Sequence, residues 1–218
     1  MSFGKYFSVF NKLTPSEQEV LLNEAVLRKV SAGTLVTAGS ENCTGVIVVR
    51  SGQLREYITS EDGREMTIAR LFGHDISILS ASCIMNSINF DIYLSAEKDS
   101  EFWVLPPQLY RQLLEESAPL ANYTNRLLAS SMTDLMWMTQ QVLWQGIDRR
   151  LAHFLLDESA FEDSLTLKIT HEAIAGHIGT AREVVTRTLR SFQSGGIVKL
   201  SRGCIEITDI EKLEELDE

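Results

Sequence analysis

The chain has 218 residues, of which 44% are hydrophobic and 23% charged, and its 13 glycines and 4 prolines are an ordinary number. This composition excludes collagen-like, low-complexity and largely disordered proteins, and the length allows one large domain or two smaller ones. The formal net charge of −10 argues, taken globally, against a surface that coats nucleic acid or anionic lipid.

Cysteine usage and the N-terminal sequence bear on the compartment. Cys43, Cys83 and Cys204 are an odd number of cysteines, widely spaced and without a Cys-x-x-Cys pair. This pattern supports neither a disulfide framework nor a cysteine-rich metal site, and it is typical of a reducing compartment. The N-terminus has no apolar signal-peptide core, and no apolar run is long enough to cross a membrane. We therefore expect a cytoplasmic protein with no membrane partner.

The first half of the chain is expected to be mainly β-structure after one helix. Thr14–Arg28 starts with capping residues and a proline, then places apolar residues at helical spacing, which predicts a short helix. Between Gly33 and Leu105 the pattern changes to short alternating runs separated by turn residues. Asp62-Gly63 is the strongest hairpin signal, because both residues tolerate positive φ. The pattern predicts an antiparallel barrel, roll or sandwich. Its clearest strands are 34–37, 45–49, 54–59 and 66–71.

A single long helix is predicted from Ala118 to Gln145, because no glycine or proline interrupts the sequence after Pro119. At 1.5 Å per residue it would extend about 40 Å. Apolar residues recur along it at spacings of three and four, which favours a homodimer seam over burial within one protomer. The residues assigned to that seam are Leu128, Leu135, Met138 and Val142.

The last third of the chain predicts a small second domain. Three helices are expected at 147–156, 170–178 and 181–192, followed by two strands at 197–200 and 205–208. The predicted organisation is therefore a β-domain over 1–117, a long helix over 118–145 and a C-terminal domain over 146–218.

The second and third of these helices carry the residues that point to a function. Their apolar faces can pack across a tight turn at Gly179, as in a helix-turn-helix. The opposite face of the third helix combines arginines with a glutamate, and this mixture suits base reading: arginine matches guanine O6 and N7, and glutamate accepts from the cytosine amino group. The predicted base-reading residues are Arg182, Glu183, Thr186 and Arg187.

Phosphate contacts are predicted around the same helices. Thr180 with Glu183 forms a capping-box pattern, and an exposed helix start has free N–H groups that favour a phosphate. Residues 168–203 have a net charge of +4, so the remainder carries −14. The alternative is an ordinary solvated face in which Glu183 and Arg187 form an ion pair. The predicted phosphate-contacting residues are Thr170, His171, Thr180, Arg190, Lys199 and Arg202.

The stretches Thr170–Arg190, Gly195–Val198 and Arg149–Leu156 resemble the Crp/Fnr superfamily of bacterial transcription regulators. The resemblance implies an α+β fold: an N-terminal β-roll like the cyclic-nucleotide-binding jelly roll, a long dimerisation helix and a C-terminal winged helix-turn-helix. It implies a homodimer on double-stranded DNA with a two-fold symmetric site, a half-site similar to TGTGA, and RNA polymerase as a partner. The family's Arg-Glu-x-x-x-Arg pattern falls on Arg182, Glu183 and Arg187. Ala181 departs from the family's Ser or Thr cap, and Thr180 is expected to replace it.

The resemblance also narrows the choice of effector. Cyclic-nucleotide binders of the family carry Gly-Glu and later Arg-Ser or Arg-Thr. Here the corresponding positions fall near Ser77-Ile78 and Phe90-Asp91. A cyclic phosphate bound there would have no arginine to pair with and would lie near the Asp91 carboxylate. Cyclic AMP is therefore not expected.

No cofactor is predicted. The iron–sulfur branch of the family needs an N-terminal cysteine cluster, and no cysteine precedes Cys43. His74 or Cys83 could hold a haem, but a lone histidine in a β loop is more often structural. Cys43 and Cys83 could form a redox pair, although free cysteines usually pack as small apolar residues. An apolar effector pocket between roll and long helix is a further hypothesis. Its residues are Ile78, Cys83, Phe90 and Leu127.

The sequence thus predicts an effector-modulated DNA-binding regulator and not an enzyme. A cupin-like metal enzyme lacks ligands, because His74 is the only one of the four histidines in the β region, and no metal site is predicted. The remaining alternative is a ligand-binding or scaffolding dimer whose helix-turn-helix no longer reads DNA.

Overall fold

The computed structural model describes residues 3–38, 44–80 and 91–217. Cys43, Cys83 and Phe90, three residues of the redox and effector-pocket hypotheses, lie outside these ranges. The chain divides into two compact units. One contains the residues up to 58 together with 68–135, and the other contains 59–67 together with the residues from 136 onward.

The N-terminal helix is shorter than predicted. Helix α1 spans Pro15–Glu24, and Thr14 caps it through a reciprocal capping box with Glu17. The predicted continuation to Arg28 is wrong, because Val26–Val30 forms strand β1 and pairs antiparallel with strand β8, Ser100–Leu105. Local helical spacing is a weak preference, and pairing with a distant strand overrides it here.

Two antiparallel sheets confirm the predicted β-roll. Besides β1 and β8, their strands are β2 Leu35–Ala38, β3 Val46–Ser51, β4 Leu54–Thr59, β5 Glu65–Leu71, β6 Ile76–Ser77 and β7 Tyr93–Ala96. One sheet has the strand order β1-β8-β3-β6 and the other β2-β7-β4-β5. Each strand predicted from 34 to 71 is present within one or two residues of its expected bounds.

Strands β3 and β8 are buried on both faces, which explains their nearly continuous apolar sequences. Because alternate side chains point to opposite faces, Ile47 and Phe102 pack between the two sheets. Val48 and Trp103 instead pack in a second core with the N-terminal segment and two later helices. These helices are α2, Pro107–Glu116, and α3, Ala118–Trp144.

The β4–β5 connection differs in detail from the predicted hairpin turn. Gly63 has φ +78°, but Asp62 does not have positive φ. The Gly63 N–H donates to the Ser60 carbonyl at 2.9 Å, so the connection is a longer loop that ends in a left-handed glycine. This loop still needs glycine at the same position.

The long helix begins where the sequence predicts and ends one residue earlier, at Trp144. In the part of the chain that the structure describes, neither this helix nor any other is long and apolar enough to cross a membrane.

The second unit is a helix-turn-helix with a β-hairpin, as predicted, and it contains more elements than the sequence indicated. Helix α4 extends to Glu162, beyond the predicted end at Leu156. Strand β9 and helix α7 were not predicted; β9 pairs with β11 through only two residues, and α7 buries Leu213 in the core of this unit. The elements are α4 Ile147–Glu162, β9 Thr166–Leu167, α5 His171–Ile178, α6 Arg182–Ser194, β10 Val198–Ser201, β11 Cys204–Ile207 and α7 Ile210–Asp217.

Candidate nucleic-acid interface

A tight turn joins α5 and α6. Thr170 caps α5 by accepting a hydrogen bond from the Ala173 N–H at 3.1 Å. Helix α5 ends at Ile178, and the next residue, Gly179, has a φ of +65°, a left-handed conformation that costs glycine little. Only Gly179, Thr180 and Ala181 separate the two helices. The turn therefore fixes the direction in which α6 leaves α5.

Helix α6 has one buried face and one exposed face. Val185, Leu189 and Phe192 are buried in the core of the second unit together with Ile174 of α5. Four charged side chains of α6 predicted to contact DNA are exposed. Glu183, Arg187 and Arg190 lie on the side opposite the buried face, and Arg182 lies in the first turn, at the edge of that face.

The exposed arginines of α6 have no carboxylate partner among the described residues. The Glu183–Arg187 ion pair, which would make this an ordinary solvated face, does not form there. Each guanidinium therefore keeps its full set of donors for an external acceptor. Phosphate and guanine edges are the acceptors that match a planar donor fork.

The start of α6 corrects one prediction. Ala181 is the N-cap residue, and no side chain caps the helix, so the predicted capping box of Thr180 and Glu183 is wrong. The Thr180 N–H instead donates to the Ala175 carbonyl at 3.0 Å, which holds this residue at the end of α5. The first N–H groups of α6 consequently remain available, as an anion at a helix start requires.

His171 and Thr186 connect the two helices. The Thr186 hydroxyl donates to the Arg182 carbonyl at 2.9 Å, and its oxygen lies 2.9 Å from His171 Nδ1. When the hydroxyl proton lies on the carbonyl, the His171 tautomer with a proton on Nδ1 completes the contact by donating to Thr186. Burial, helped by Arg182 and Arg190, lowers the pKa of His171 below its ordinary value.

The β10–β11 hairpin forms the wing, and it turns at Gly203, whose φ is +70°. Lys199 on this hairpin is exposed and forms an ion pair with Glu206, with Nζ and Oε2 3.4 Å apart. Arg202 lies at the exposed tip. If Lys199 contacts a phosphate, its ion pair with Glu206 must break. Breaking it costs little free energy, because an exposed ion pair contributes little to stability.

A cleft of about 500 Å³ lies between the starts of α5 and α6 and the wing. Of the predicted DNA-contacting residues, it brings together Thr170, His171, Arg182 and Arg202. Glu172 and Cys204 also line it and were not predicted.

Helix α3 carries an apolar stripe that is exposed in the single chain. Of the predicted seam, Leu128 and Met138 are half-buried, whereas Leu135 and Val142 are exposed. Met132 and Leu143, which the sequence analysis did not assign, are each 66% exposed. At 100° per residue these two lie within about 60° of Leu128, so they widen the stripe on the side away from Met138.

The β-roll contains a buried carboxyl that the sequence did not single out. Glu56 on β4 is 3% exposed and accepts a hydrogen bond from the Ser77 hydroxyl. Burial raises its pKa to about 7, although the bond from Ser77 opposes the shift. It lies on the same side of β4 as Leu54, which packs between the two sheets. An alternating strand pattern cannot reveal a charged residue that points inward.

Of the predicted effector-pocket residues, the two that the structure describes, Ile78 and Leu127, line different pockets. Ile78 is buried and lines a pocket with residues of α2 and α3. Leu127 lines a separate depression together with Ser8 and Tyr123. Cys83 and Phe90 fall in the segment that the structure does not describe.

Two family models match the chain: a Crp-like helix-turn-helix domain over residues 149–216 and a cyclic nucleotide-binding domain over residues 27–117. A crystal structure of a Crp/Fnr-family transcriptional regulator from Eubacterium rectale is 47% identical, with a TM-score of 0.95, over 98% of this chain and 99% of that chain. The cyclic AMP receptor protein of Thermus thermophilus is 26% identical over 95% of both chains. The transcriptional activator protein FnrA of Stutzerimonas stutzeri is 23% identical over 84% of this chain and 76% of its own.

Proposed function

The chain belongs to the Crp/Fnr family of transcription regulators, and from this premise we propose that it acts as a homodimer whose two α6 helices read a symmetric DNA site. The observation that carries the proposal is the set of exposed arginines on α6, which have no carboxylate partner among the described residues. A helix of this kind enters the major groove, and two of them about 34 Å apart match half-sites one helical turn apart.

We assign base reading to Arg182, Glu183 and Arg187, with Thr186 as a fourth contact. The Thr186 hydroxyl proton is used within the protein, so its contact would be through the methyl group or a hydroxyl lone pair. Phosphate contacts are assigned to Thr170, His171, Thr180, Arg190, Lys199 and Arg202. Because the rest of the chain is acidic, phosphates would be attracted only to this surface.

The exposed stripe of α3 supports the homodimer, and the sequence of the β-roll supports an effector other than cyclic AMP. Two copies of α3 packed along Leu128, Leu135 and Val142 would cover apolar area that is otherwise in water. In the β-roll sequence, Ser77-Ile78 and Phe90-Asp91 stand where the family's cyclic-nucleotide binders have Gly-Glu and Arg-Ser or Arg-Thr, so a cyclic phosphate would have no arginine partner. RNA polymerase is the further partner that we assign, as for other regulators that act at promoters.

Selection of binding sites from random DNA tests the proposed function. Purified protein should enrich one symmetric sequence, and binding to it should weaken steeply as salt is added. Selection with and without oxidant also tests the redox hypothesis for Cys43 and Cys83. Enrichment of no sequence would favour the alternative, a dimer whose helix-turn-helix no longer reads DNA.

Replacing Arg187 by alanine should weaken binding to the selected site by about 1 to 3 kcal/mol and relax the base preference at one position. Lys199→Ala should instead weaken all sequences to a similar extent and reduce the salt dependence, because it removes only a phosphate contact. Fluorescence anisotropy with the selected site and with single-base variants measures both. Arg126→Ala, which removes an exposed arginine of α3, is the matched control and should have no effect. Equal behaviour of Arg187→Ala and Lys199→Ala would contradict the assigned roles.

We expect DNA affinity to rise several-fold as the pH falls from about 8 to about 6. The lowered pKa leaves His171 neutral in the free protein, and a nearby phosphate would favour its protonated form. The complex would then take up a proton, so lower pH favours binding. Anisotropy titrations at constant salt check this against His171→Gln, whose amide can still donate to Thr186. An unchanged pH dependence in that variant would show that another group titrates.

A further inference from the structure

A pocket of about 240 Å³ lies between α2, α3 and the residue that follows β6. Its volume exceeds the roughly 150 Å³ of an apolar cavity that holds benzene. A molecule with a single ring therefore fits. The apolar lining consists of Ile78, Leu114, Ala121 and Leu128.

The same pocket is lined by two hydroxyl groups that are almost fully buried. Tyr110 Oη and Thr124 Oγ1 lie 2.7 Å apart, and the two residues are 1% and 4% exposed. One hydroxyl donates to the other, so the accepting hydroxyl still has its own proton. That proton has no acceptor among the described residues. A buried donor without an acceptor is unfavourable, and a ligand oxygen or nitrogen would satisfy it.

The lining also limits the charge of a ligand. The described residues around the pocket include no acid or base, and the polar group at its exposed edge is the Asn125 amide. Burial raises the pKa of Tyr110 to about 12, so its phenol remains neutral at physiological pH. An ion placed here would leave water without gaining a countercharge. The chemistry therefore favours an uncharged molecule.

We propose that this pocket binds an uncharged organic molecule of about the size of one ring, which accepts a hydrogen bond from the Tyr110–Thr124 hydroxyl pair. Leu128 belongs both to the pocket and to the proposed seam, so the ligand contacts the helix face on which the dimer would form. The consequence for DNA affinity rests on the proposed function, whereas binding itself does not depend on it.

Calorimetric titration of the full chain without DNA tests the proposal, with benzamide and benzoate as probes. The two have the same shape and differ in charge. Benzamide should bind saturably with a Kd of about 1 mM, as expected for nine non-hydrogen atoms, and benzoate should bind at least about tenfold more weakly. Absence of saturable benzamide binding, or equal binding of benzoate, would overturn the proposal.

Two variants locate the binding. Ala121→Leu fills the pocket and should weaken benzamide binding at least about tenfold, while thermal unfolding shows whether the variant is folded. Tyr110→Phe keeps the volume and removes one hydroxyl of the pair. We expect about three- to tenfold weaker binding in Tyr110→Phe. Unchanged affinity in both variants would place benzamide elsewhere and refute this site. Failure to bind DNA would refute the proposed function and leave these results unaffected.

Discussion

Leu135→Glu is expected to convert the protein from a dimer to a monomer and to lower its affinity for a symmetric DNA site at least about 100-fold. Leu135 is on the exposed apolar stripe of α3, within about 20° of Leu128 around the helix. In a dimer two glutamates would face each other there, removed from water without a countercharge. Each protomer has one proposed reading helix, so a dimer binds both half-sites of the DNA together. Two monomers would have to bind the half-sites independently, which lowers the affinity.

Sedimentation and DNA titration of the same preparations measure this effect. The wild-type mass should be twice that of the 24.5 kDa chain, and the variant mass should equal one chain. Ser130→Glu is the matched control, because it adds the same charge to an exposed position on the opposite side of α3. It should remain a dimer and bind DNA normally. A dimeric Leu135→Glu protein would show that the seam does not lie on this stripe.

Glu56→Gln is expected to remove about 3 kcal/mol of pH dependence from the free energy of unfolding. Burial raises the pKa of Glu56 from 4.5 to about 7. Between these values the unfolded chain releases the proton and the folded chain keeps it. The contribution of protonated Glu56 to the free energy of unfolding is therefore complete below about pH 4.5, and it is lost as the pH rises to about 7. The glutamine variant does not titrate, and its carbonyl can still accept from Ser77.

Urea unfolding of both proteins at several pH values between about 4.5 and 8 checks this prediction. The wild type should lose stability relative to Glu56→Gln across that range and show no further loss above it. Glu19→Gln, which neutralises an exposed carboxylate of α1, is the control and should follow the wild type. Parallel curves for wild type and Glu56→Gln would mean that Glu56 is ionised in the folded protein throughout.

These two predictions concern different parts of the proposed regulator. In the proposed dimer, the stripe on α3 would set the distance between the two reading helices, and the β-roll and its neighbouring helices hold the groups that a ligand would contact. If α3 adopts two arrangements in the dimer, an effector that binds them with different affinity would shift DNA binding by that difference. The pocket beside Leu128 is suited to this, because a ligand there would contact α2 and the face of α3 that is proposed as the seam.

Features encoded in neighbouring residues could be predicted from the sequence. Turn residues and alternation predicted the strands from 34 to 71, an uninterrupted helical pattern predicted α3, and Gly179 predicted the turn between α5 and α6. The polar face of α6 followed from spacing alone, because the residues on each helix face recur with the helical period. The family resemblance rests on this same local pattern.

Tertiary structure decided the features that depend on distant partners. Val26–Val30 forms a strand because its backbone pairs with β8, although its local spacing suited a helix. Glu56 is buried because strand β4 turns that side chain inward, and the side chain alone would favour water. The uncapped start at Ala181 and the added width of the α3 stripe likewise depend on how neighbouring elements end and pack. Helix and strand propensity and apolar periodicity depend only on neighbouring residues. Strand pairing and side-chain burial depend on which distant parts of the chain pack against a segment.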